Sequence, residues 1–174
     1  MTSPAYFNQE LQLQKEMKEL IKESIISNTD VRMVANEEEL KYEPEGQELE
    51  VGLIRFLIDN EEDIKNLFIQ RNLTAPKILQ IPFDQAKKRK VVVRRVANDD
   101  TQARIYVKGA PEYVINLCTD TYDYSANQKE LDDDEKYRIL SDVVTDQMAA
   151  TGLKVLSYAF KQVPYDDIID MMNT

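Results

Sequence analysis

A lysine at the end of a predicted strand is the most informative chemical feature of the sequence. Lys108 follows the β-branched run RIYV at 104–107 and precedes Gly109 and Pro111. The glycine lets backbone approach a ligand closely, and the proline suits the first turn of a helix. Together these residues can hold a positive charge beside an anionic group such as a phosphate.

A second group of residues combines an aromatic ring with nearby cations. Phe83 lies at the end of another predicted strand, and the basic run KKRK follows it at 87–90. A purine needs a flat apolar partner and a phosphate needs cations several ångströms away, so this spacing suits a nucleotide. Taken alone, the segment also suits a core phenylalanine followed by a solvated turn, and the basic run also suits a nuclear-localisation signal.

Four segments, taken in chain order, resemble the nucleotide-binding domain of P-type cation-transporting ATPases. They are GQELEVGL at 46–53, PFDQAKKRK at 82–90, VKGAPE at 107–112 and TGLKVLSYA at 151–159. The resemblance spans nearly the whole chain. The longer stretch VKGAPEYVINLC at 107–118 is most similar to the type II branch, which contains calcium and sodium pumps.

The resemblance implies an adenosine pocket built from four residues. Phe83 would stack on adenine, Glu50 would accept a hydrogen bond from the adenine amino group, and Lys108 with Gly109 would lie deep in the pocket. Leu49 and Gly52 depart from the threonine and alanine of the family pattern, and Glu50 also suits a solvent-facing position on a helix. Lys108 alone also suits an exposed strand end, and Gly109 an ordinary strand-to-helix turn.

The resemblance also implies contacts to the phosphates of the nucleotide. Lys88 matches the basic residue that contacts the nucleotide, although the register among Lys87, Lys88 and Lys90 stays open. Lys154 stands where the family has an arginine that contacts the phosphates. Lysine keeps the charge of arginine but loses its two-pronged geometry.

The charge balance limits the classes of partner. Acidic residues outnumber basic residues, 32 against 22, so the net charge is −10 at pH 7. This balance disfavours a general nucleic-acid binder or a protein held on a membrane by basic residues. Residues 84–108 nevertheless hold eight cations and three acids, a local charge of +5. An anionic ligand would find one favourable neighbourhood there.

Histidine is absent and Cys118 is the only cysteine. Ser-His-Asp and Cys-His catalysis are therefore excluded, and a zinc site is not expected. A lone cysteine cannot form an intramolecular disulfide, which favours a reducing compartment. The sequence contains no apolar run near the roughly 20 residues of a spanning helix, and the start at 1–4 lacks signal-peptide features, so we expect a soluble fragment on the cytosolic side.

Motifs of a complete pump are missing from the 174 residues, namely the phosphorylation, actuator and hinge motifs and the membrane helices. We therefore expect residues 1–174 to form a single nucleotide-binding domain, excised from a larger membrane pump near Met1, that binds ATP without hydrolysing it. The resemblance implies ATP as ligand, Mg²⁺ bound mainly through ATP and absent domains, and the phosphorylation and actuator domains of the same parent chain as partners.

In the parent pump the domain would swing to deliver the γ-phosphate to an aspartate on a separate domain, which drives cation transport. Calcium is the cation that the type II resemblance favours. Neither nucleic acid nor the membrane itself is an expected partner of the fragment.

Apolar spacing predicts an α+β fold, an antiparallel sheet flanked by helices. Helices are predicted at 7–27, from Gln47 onward, at 63–71, at 111–118 and at 132–149, the last ended by Gly152. The helix at 111–118 is expected to pack Val114, Ile115 and Leu117 inward. The helix at 132–149 is expected to bury in part Tyr137, Ile139, Leu140, Val143, Val144 and Met148. Residues 166–173 are predicted to add one helical turn or to fray.

Strands are predicted at 78–81, 91–96, 103–107 and 153–163. A turn at 98–101 joins the second and third as an antiparallel hairpin. The fourth is expected to be central, because it is apolar on both sides. Residues 28–46 are predicted to form a surface connection with one short strand.

Two other classes of function remain open from the sequence. A noncatalytic α+β interaction module could use its acidic surface to bind a basic partner, and it would show no saturable response to ATP. A free-standing kinase or phosphatase is disfavoured, because the sequence lacks a P-loop of the form GxxxxGK and an evident nucleophile.

Overall fold

The computed structural model describes residues 15–36, 41–60, 62–123 and 125–173. Residues 7–14 of the predicted first helix, the chain start at Met1 and Glu61 of a predicted turn lie outside these ranges. The described residues form antiparallel sheets flanked by helices. The predicted α+β class is therefore confirmed.

The helices, in chain order, are α1 (Lys15–Ser27), α2 (Glu48–Asp59), α3 (Ile64–Thr74), α4 (Pro111–Val114), α5 (Asp133–Arg138) and α6 (Tyr165–Met172). A 3-10 turn, Ile115–Leu117, follows α4. A π-helical stretch, Ile139–Met148, and a 3-10 turn, Ala149–Thr151, extend α5. Gly152 ends this extended helix in the left-handed conformation, with φ of 81°, as the sequence predicts.

The strands, in chain order, are β1 (Arg32–Asn36), β2 (Lys41–Glu45), β3 (Lys77–Asp84), β4 (Arg89–Val96), β5 (Asp99–Gly109), β6 (Asp120–Tyr122), β7 (Gln128–Glu130) and β8 (Ser157–Pro164). The main sheet has the order β3-β4-β5-β8 and is antiparallel throughout. The pairs β1-β2 and β6-β7 form separate hairpins.

The register of the main sheet brings four chain segments to one end. Asp84 pairs with Arg89, Arg89 with Gly109, and Gly109 with Ser157. The end of β3, the start of β4, the end of β5 and the start of β8 therefore meet at the same edge of the sheet. Three of the four segments of the family resemblance lie at or next to this edge.

Helices cover both faces of the sheet. On one face Val93 and Ala103 pack with Ile168 of α6. The next residue of β4, Arg94, donates from Nε to the Ser27 carbonyl at the end of α1, 3.0 Å away. Because consecutive side chains of a strand point to opposite faces, α1 and α6 lie on opposite sides of the sheet.

A core of isoleucine, valine and leucine side chains joins α1, α2 and α3. Its buried members are Ile25, Ile26, Val31, Ile54, Leu57 and Ile64. The fully buried Ile54 lies on α2, so α2 is fixed on the same core as α1. This packing sets the position of Glu50, one turn earlier on α2.

The C-terminal end of α1 is capped by cations from elsewhere in the chain. The last turn of α1 has no basic residue of its own. Arg71 donates to the Ile26 carbonyl at 2.5 Å, Arg94 to Ser27, and Lys108 Nζ to the Asn28 carbonyl at 2.7 Å. These carbonyls lack partners within the helix and form the negative end of its dipole, so the cations stabilise them.

Strand β8 differs from its prediction. It begins at Ser157 instead of Leu153 and, among the described strands, it pairs only with β5, so the expectation of a central strand is wrong. Helix α1 contacts β8, and so do α4 and α6. Because helices cover both faces of β8, this edge strand is apolar on both sides, which is the pattern that suggested a central strand.

Several smaller elements also differ from the sequence prediction. Residues 28–46 contain the two-stranded hairpin β1-β2 instead of one strand, and the polar hairpin β6-β7 was not predicted. Helix α6 has eight residues and buries Ile168 in the core. Leu117 is 50% exposed and Tyr137 is 75% exposed, so the expectations that Leu117 packs inward and that Tyr137 is partly buried are wrong.

The described ranges contain no helix with both the length and the apolar character needed to cross a bilayer.

Candidate functional site

A buried ion pair joins two of the residues that the sequence singles out. Lys108, near the end of β5, donates from Nζ to Glu50 Oε1 on α2, although the two residues lie 58 positions apart. Each residue is 6% exposed. The packing of α2 and the register of β5 thus bring both predicted residues to one point.

The remaining oxygen of Glu50 is also occupied. Its Oε2 accepts from Thr29 Oγ1 at 3.0 Å and from the backbone N–H of Asp30 at 2.8 Å. Both donors lie in the connection that follows α1. Glu50 therefore ties α2 to the end of α1 and to β5 at the same time.

A second lysine and a second acid extend this pair. Lys90 is the cross-strand partner of Lys108, so both side chains lie on the same face of the sheet. Lys90 Nζ lies 2.5 Å from Asp30 Oδ2 and 3.6 Å from Glu50 Oε1. Asp30, Glu50, Lys90 and Lys108 form what we call the four-charge cluster, in which two positive charges face two negative charges.

Burial and hydrogen bonding shift the pKa values in the cluster. Burial alone would raise the pKa of Glu50, but the hydrogen bonds from Lys108 and from the Asp30 backbone, with the charges of Lys108 and Lys90, outweigh burial and lower it. Burial lowers the pKa of Lys108, and the attraction of Glu50 offsets this only in part. Glu50 is therefore a carboxylate at neutral pH.

A tyrosine from the edge strand lies beside the cluster. Tyr158 of β8 pairs with Lys108 in the sheet register. Its hydroxyl is buried and has no hydrogen-bond partner within the described part of the chain. Burial, with the charge of Glu50, raises the pKa of Tyr158, so this side chain is neutral.

The other predicted site residues lie in chain segments that reach, or lead into, the sheet edge described above. Phe83, the next-to-last residue of β3, is 51% exposed. Lys88 is half-buried in the β3-β4 turn with φ of 49°, and its Nζ donates to Gln85 Oε1 at 3.3 Å. Lys154 is exposed, three residues before β8 begins. These residues have the exposure that contact with a ligand requires.

Gly109 is required by the path of the chain itself. A Cβ atom at this position would lie 2.3 Å from the Lys88 carbonyl oxygen and 2.9 Å from the Arg89 Cα. The Lys88 carbonyl also accepts from the backbone N–H of Ala110 at 3.0 Å. Gly109 thus lets β5 approach the β3-β4 turn, while close approach to a ligand stays a prediction.

Glu50 and Lys108 touch each other inside the domain. Phe83, Lys88 and Gly109 lie at the strand ends that the register brings to one sheet edge, and Lys154 lies three residues before β8. Their individual roles toward a nucleotide stay predictions.

Asp30 and the burial of Lys90 were missed from the sequence. One signal was present, because Lys90 alternates with apolar residues at the start of a β-branched run and a lysine there faces the same side as Val92. The sequence around Asp30 gave no such signal.

The described residues contain no group of three or more Cys, Asp or Glu side chains arranged to hold a metal ion. The carboxylates of the four-charge cluster are instead paired with lysines.

The fold and this arrangement of residues agree with a family comparison. Residues 16–173 match the family described as P-type ATPase, cytoplasmic domain N. The chain belongs to this family.

Similar proteins include two named cation pumps. Over 88 residues, 51% of the chain, the sequence is 35% identical to the magnesium-transporting ATPase, P-type 1, of two strains of Salmonella typhimurium and covers 9% of those proteins. Over 88 residues it is 31% identical to calcium-transporting ATPase 12, plasma membrane-type, of Arabidopsis thaliana and covers 8% of it. The aligned segment thus spans a small part of these relatives.

Proposed function

We propose that this chain is the ATP-binding domain of a P-type cation-transporting ATPase. The observation that carries the proposal is the contact of Glu50 with Lys108, two residues of separate family-like segments that lie 58 positions apart. The family membership of residues 16–173 supports the same function.

The proposed pose follows from exposure and charge. Adenine stacks on Phe83, whose ring is half exposed at the sheet edge. The phosphates extend toward Lys88 in the β3-β4 turn and toward Lys154, which lies three residues before β8. Both lysines carry charges that complement a triphosphate.

Magnesium enters the proposal as the counter-ion of the phosphates. The acids of the four-charge cluster already have lysine partners, so the chain's own contribution is to bind and orient the nucleotide. Mg²⁺ would neutralise charge on the phosphates, and the parent pump's other domains would supply its protein ligands.

In the parent pump, the domain presents the γ-phosphate to an aspartate on the phosphorylation domain, and the actuator domain acts on the product of that transfer. The domain lies on the cytosolic side of the membrane. We propose calcium as the transported cation, following the type II resemblance. Magnesium is the alternative that the names of the Salmonella relatives suggest.

Calorimetric titration with Mg-ATP tests the proposal. We expect saturable binding without hydrolysis, and Phe83→Ala should weaken it by about 1–3 kcal/mol, the range for a base stacked on an aromatic ring. Tyr137→Ala is the matched control, because Tyr137 is an aromatic residue that is 75% exposed on α5, outside the proposed site. Absence of saturable binding to the wild-type domain would overturn the proposal and favour the interaction module.

A further inference from the structure

Both oxygens of Glu50 have hydrogen-bond partners within the domain. Glu50 Oε1 accepts from Lys108, and Oε2 accepts from Thr29 and from the Asp30 backbone. Lys108 Nζ also donates to the Asn28 carbonyl. A ligand that takes the place of Lys108 on Glu50 Oε1 must separate the two side chains.

Separating the pair creates an electrostatic problem. Glu50 is 6% exposed, so water cannot replace the lysine as a partner. A buried carboxylate that loses its cation is strongly destabilised, and it either finds another cation or takes up a proton. A protonated Glu50 would lose much of its strength as a hydrogen-bond acceptor.

We propose that Lys90 is a positioning residue of the nucleotide site, which takes over Glu50 when ATP draws Lys108 away and so keeps Glu50 a carboxylate. The inference rests on the proposed ATP-binding function and deepens it. Lys90 acts through Glu50, without contact to the nucleotide.

The distances place Lys90 for this exchange. Its Nζ lies 3.6 Å from Glu50 Oε1, the same oxygen that Lys108 contacts. The Lys90 side chain is 5% exposed, so the charge acts in a poorly screened environment. A shift of about an ångström would turn this ion pair into a direct hydrogen bond.

Asp30 is the partner that Lys90 can release. Lys90 lies 2.5 Å from Asp30, whose side chain is 57% exposed, whereas the Glu50 side chain is 7% exposed. Water can solvate Asp30 when Lys90 moves, but it cannot solvate Glu50. Because of this difference in exposure, Lys90 pairs with Glu50 instead of Asp30 once Lys108 has moved away.

The other groups around Glu50 do not supply this charge. Asp30 is an acid, and Tyr158 is neutral because burial raises its pKa. Arg71 and Arg94 donate to the Ile26 and Ser27 carbonyls at the end of α1. Lys108 is the cation that is being withdrawn. Lys90 is thus the cation within ion-pairing distance that remains for Glu50.

Calorimetry in two buffers of different ionisation enthalpy tests the inference, with ATP and excess Mg²⁺ at neutral pH. Lys90→Met should weaken ATP binding about tenfold or more. Once Lys108 has moved away, the buried Glu50 carboxylate of this variant has no cation beside it. Binding to this variant should also take up about one more proton than binding to the wild type. A purely structural role for Lys90 would not change the proton count, and Lys90→Arg should restore both values.

Lys22→Met is the matched control. Lys22 also contacts two acids, Glu19 at 2.8 Å and Glu62 at 3.1 Å, but it lies on α1 away from the cluster. Its replacement should leave ATP affinity and proton uptake unchanged.

A second measurement uses the wild-type domain alone and covers the case in which Lys90→Met does not fold. The carboxyl ¹³C shift of Glu50 should stay that of a carboxylate when ATP saturates the domain at neutral pH. Protonation of Glu50 on ATP binding would overturn the inference, as would wild-type affinity and proton uptake in Lys90→Met. If Phe83→Ala still weakens binding in that case, the ATP site stands and only the role of Lys90 fails.

Discussion

Glu50 and Lys108 form an ion pair that is almost fully removed from water, with each residue 6% exposed. The pair joins the second helix to the end of the central strand β5. Lys108 directly precedes Gly109, which lies at the sheet edge where Phe83 is exposed and Lys88 is half-buried. Folding stability and the proposed binding site therefore depend on the same charges.

Glu50→Gln should destabilise the domain by about 3–5 kcal/mol, the cost of leaving a buried charge without its partner. Two buried lysines, Lys90 and Lys108, would then face only Asp30. Urea unfolding at neutral pH measures the change. Glu130→Gln is the control, because Glu130 is exposed on β7 and its replacement should stay within about 0.5 kcal/mol.

The double variant Glu50→Gln with Lys108→Met separates charge burial from packing. Removing both partners of a buried pair leaves no uncompensated charge, so the double variant should recover part of the stability that Glu50→Gln loses. If the stability losses of Glu50→Gln and of Lys108→Met, each measured alone, simply add in the double variant, the pair does not stabilise the fold through its charges.

The stability that Glu50 contributes should depend on pH in the acid range. The pKa of Glu50 is lowered in the folded domain from its ordinary value of 4.5. A lowered pKa means that the folded state binds the proton less tightly, so the contribution is complete above 4.5 and is lost as the pH falls through the folded pKa.

Urea unfolding of the wild type and Glu50→Gln at several pH values checks this prediction. The difference in unfolding free energy between the two proteins should be constant near neutral pH and should shrink below pH 4.5. A difference that stays constant through the acid range would show that Glu50 acts through shape instead of charge.

Short motifs made the site partly predictable from the sequence. Lys108 and Gly109 stand beside a recognisable strand and helix start, and β-branched runs such as the one at 91–96 locate the strands. The pairing of Glu50 with Lys108 could be expected only through the family resemblance, since nothing local to either residue specifies a partner 58 positions away.

The remaining features depend on long-range packing. Lys90 belongs to a basic run that suits a solvated turn, yet the β4-β5 register and helix α2 bury it. Asp30 follows α1 in a polar segment, and its role becomes visible only when Lys90 is placed beside it. Leu117 and Tyr137 fit amphipathic patterns but lie at element ends or on a helix that buries none of its residues.

Gly109→Ala should destabilise the domain by about 1–3 kcal/mol, the range for forcing extra atoms into a packed site. The added Cβ would lie 2.3 Å from the Lys88 carbonyl oxygen, which is backbone and cannot rotate away. The β3-β4 turn would have to move, and Lys88 would move with it.

Gly52→Ala is the matched control for this variant. Gly52 lies within α2, and a Cβ there meets nothing within 4 Å. Because alanine has the higher helix propensity, this change should stabilise the domain by about 0.5–1 kcal/mol. The thermal unfolding temperature should therefore fall for Gly109→Ala and rise for Gly52→Ala. Equal shifts would contradict the assigned role of Gly109.

Lys154→Arg should strengthen ATP binding, and Lys154→Ala should weaken it, each by up to about 1 kcal/mol, the range for exposed charge pairs. Arginine can contact two phosphate oxygens at once, which an ammonium group cannot do with the same geometry. Lys154 is exposed just before β8, so neither change should disturb the core.

Lys161→Arg is the control, because Lys161 lies inside β8 opposite Ile105 and away from the sheet edge. Titrations at two salt concentrations measure the effects, which should shrink at higher salt because mobile ions screen exposed charges. Equal affinities for both Lys154 variants would place the phosphates beyond the reach of this residue.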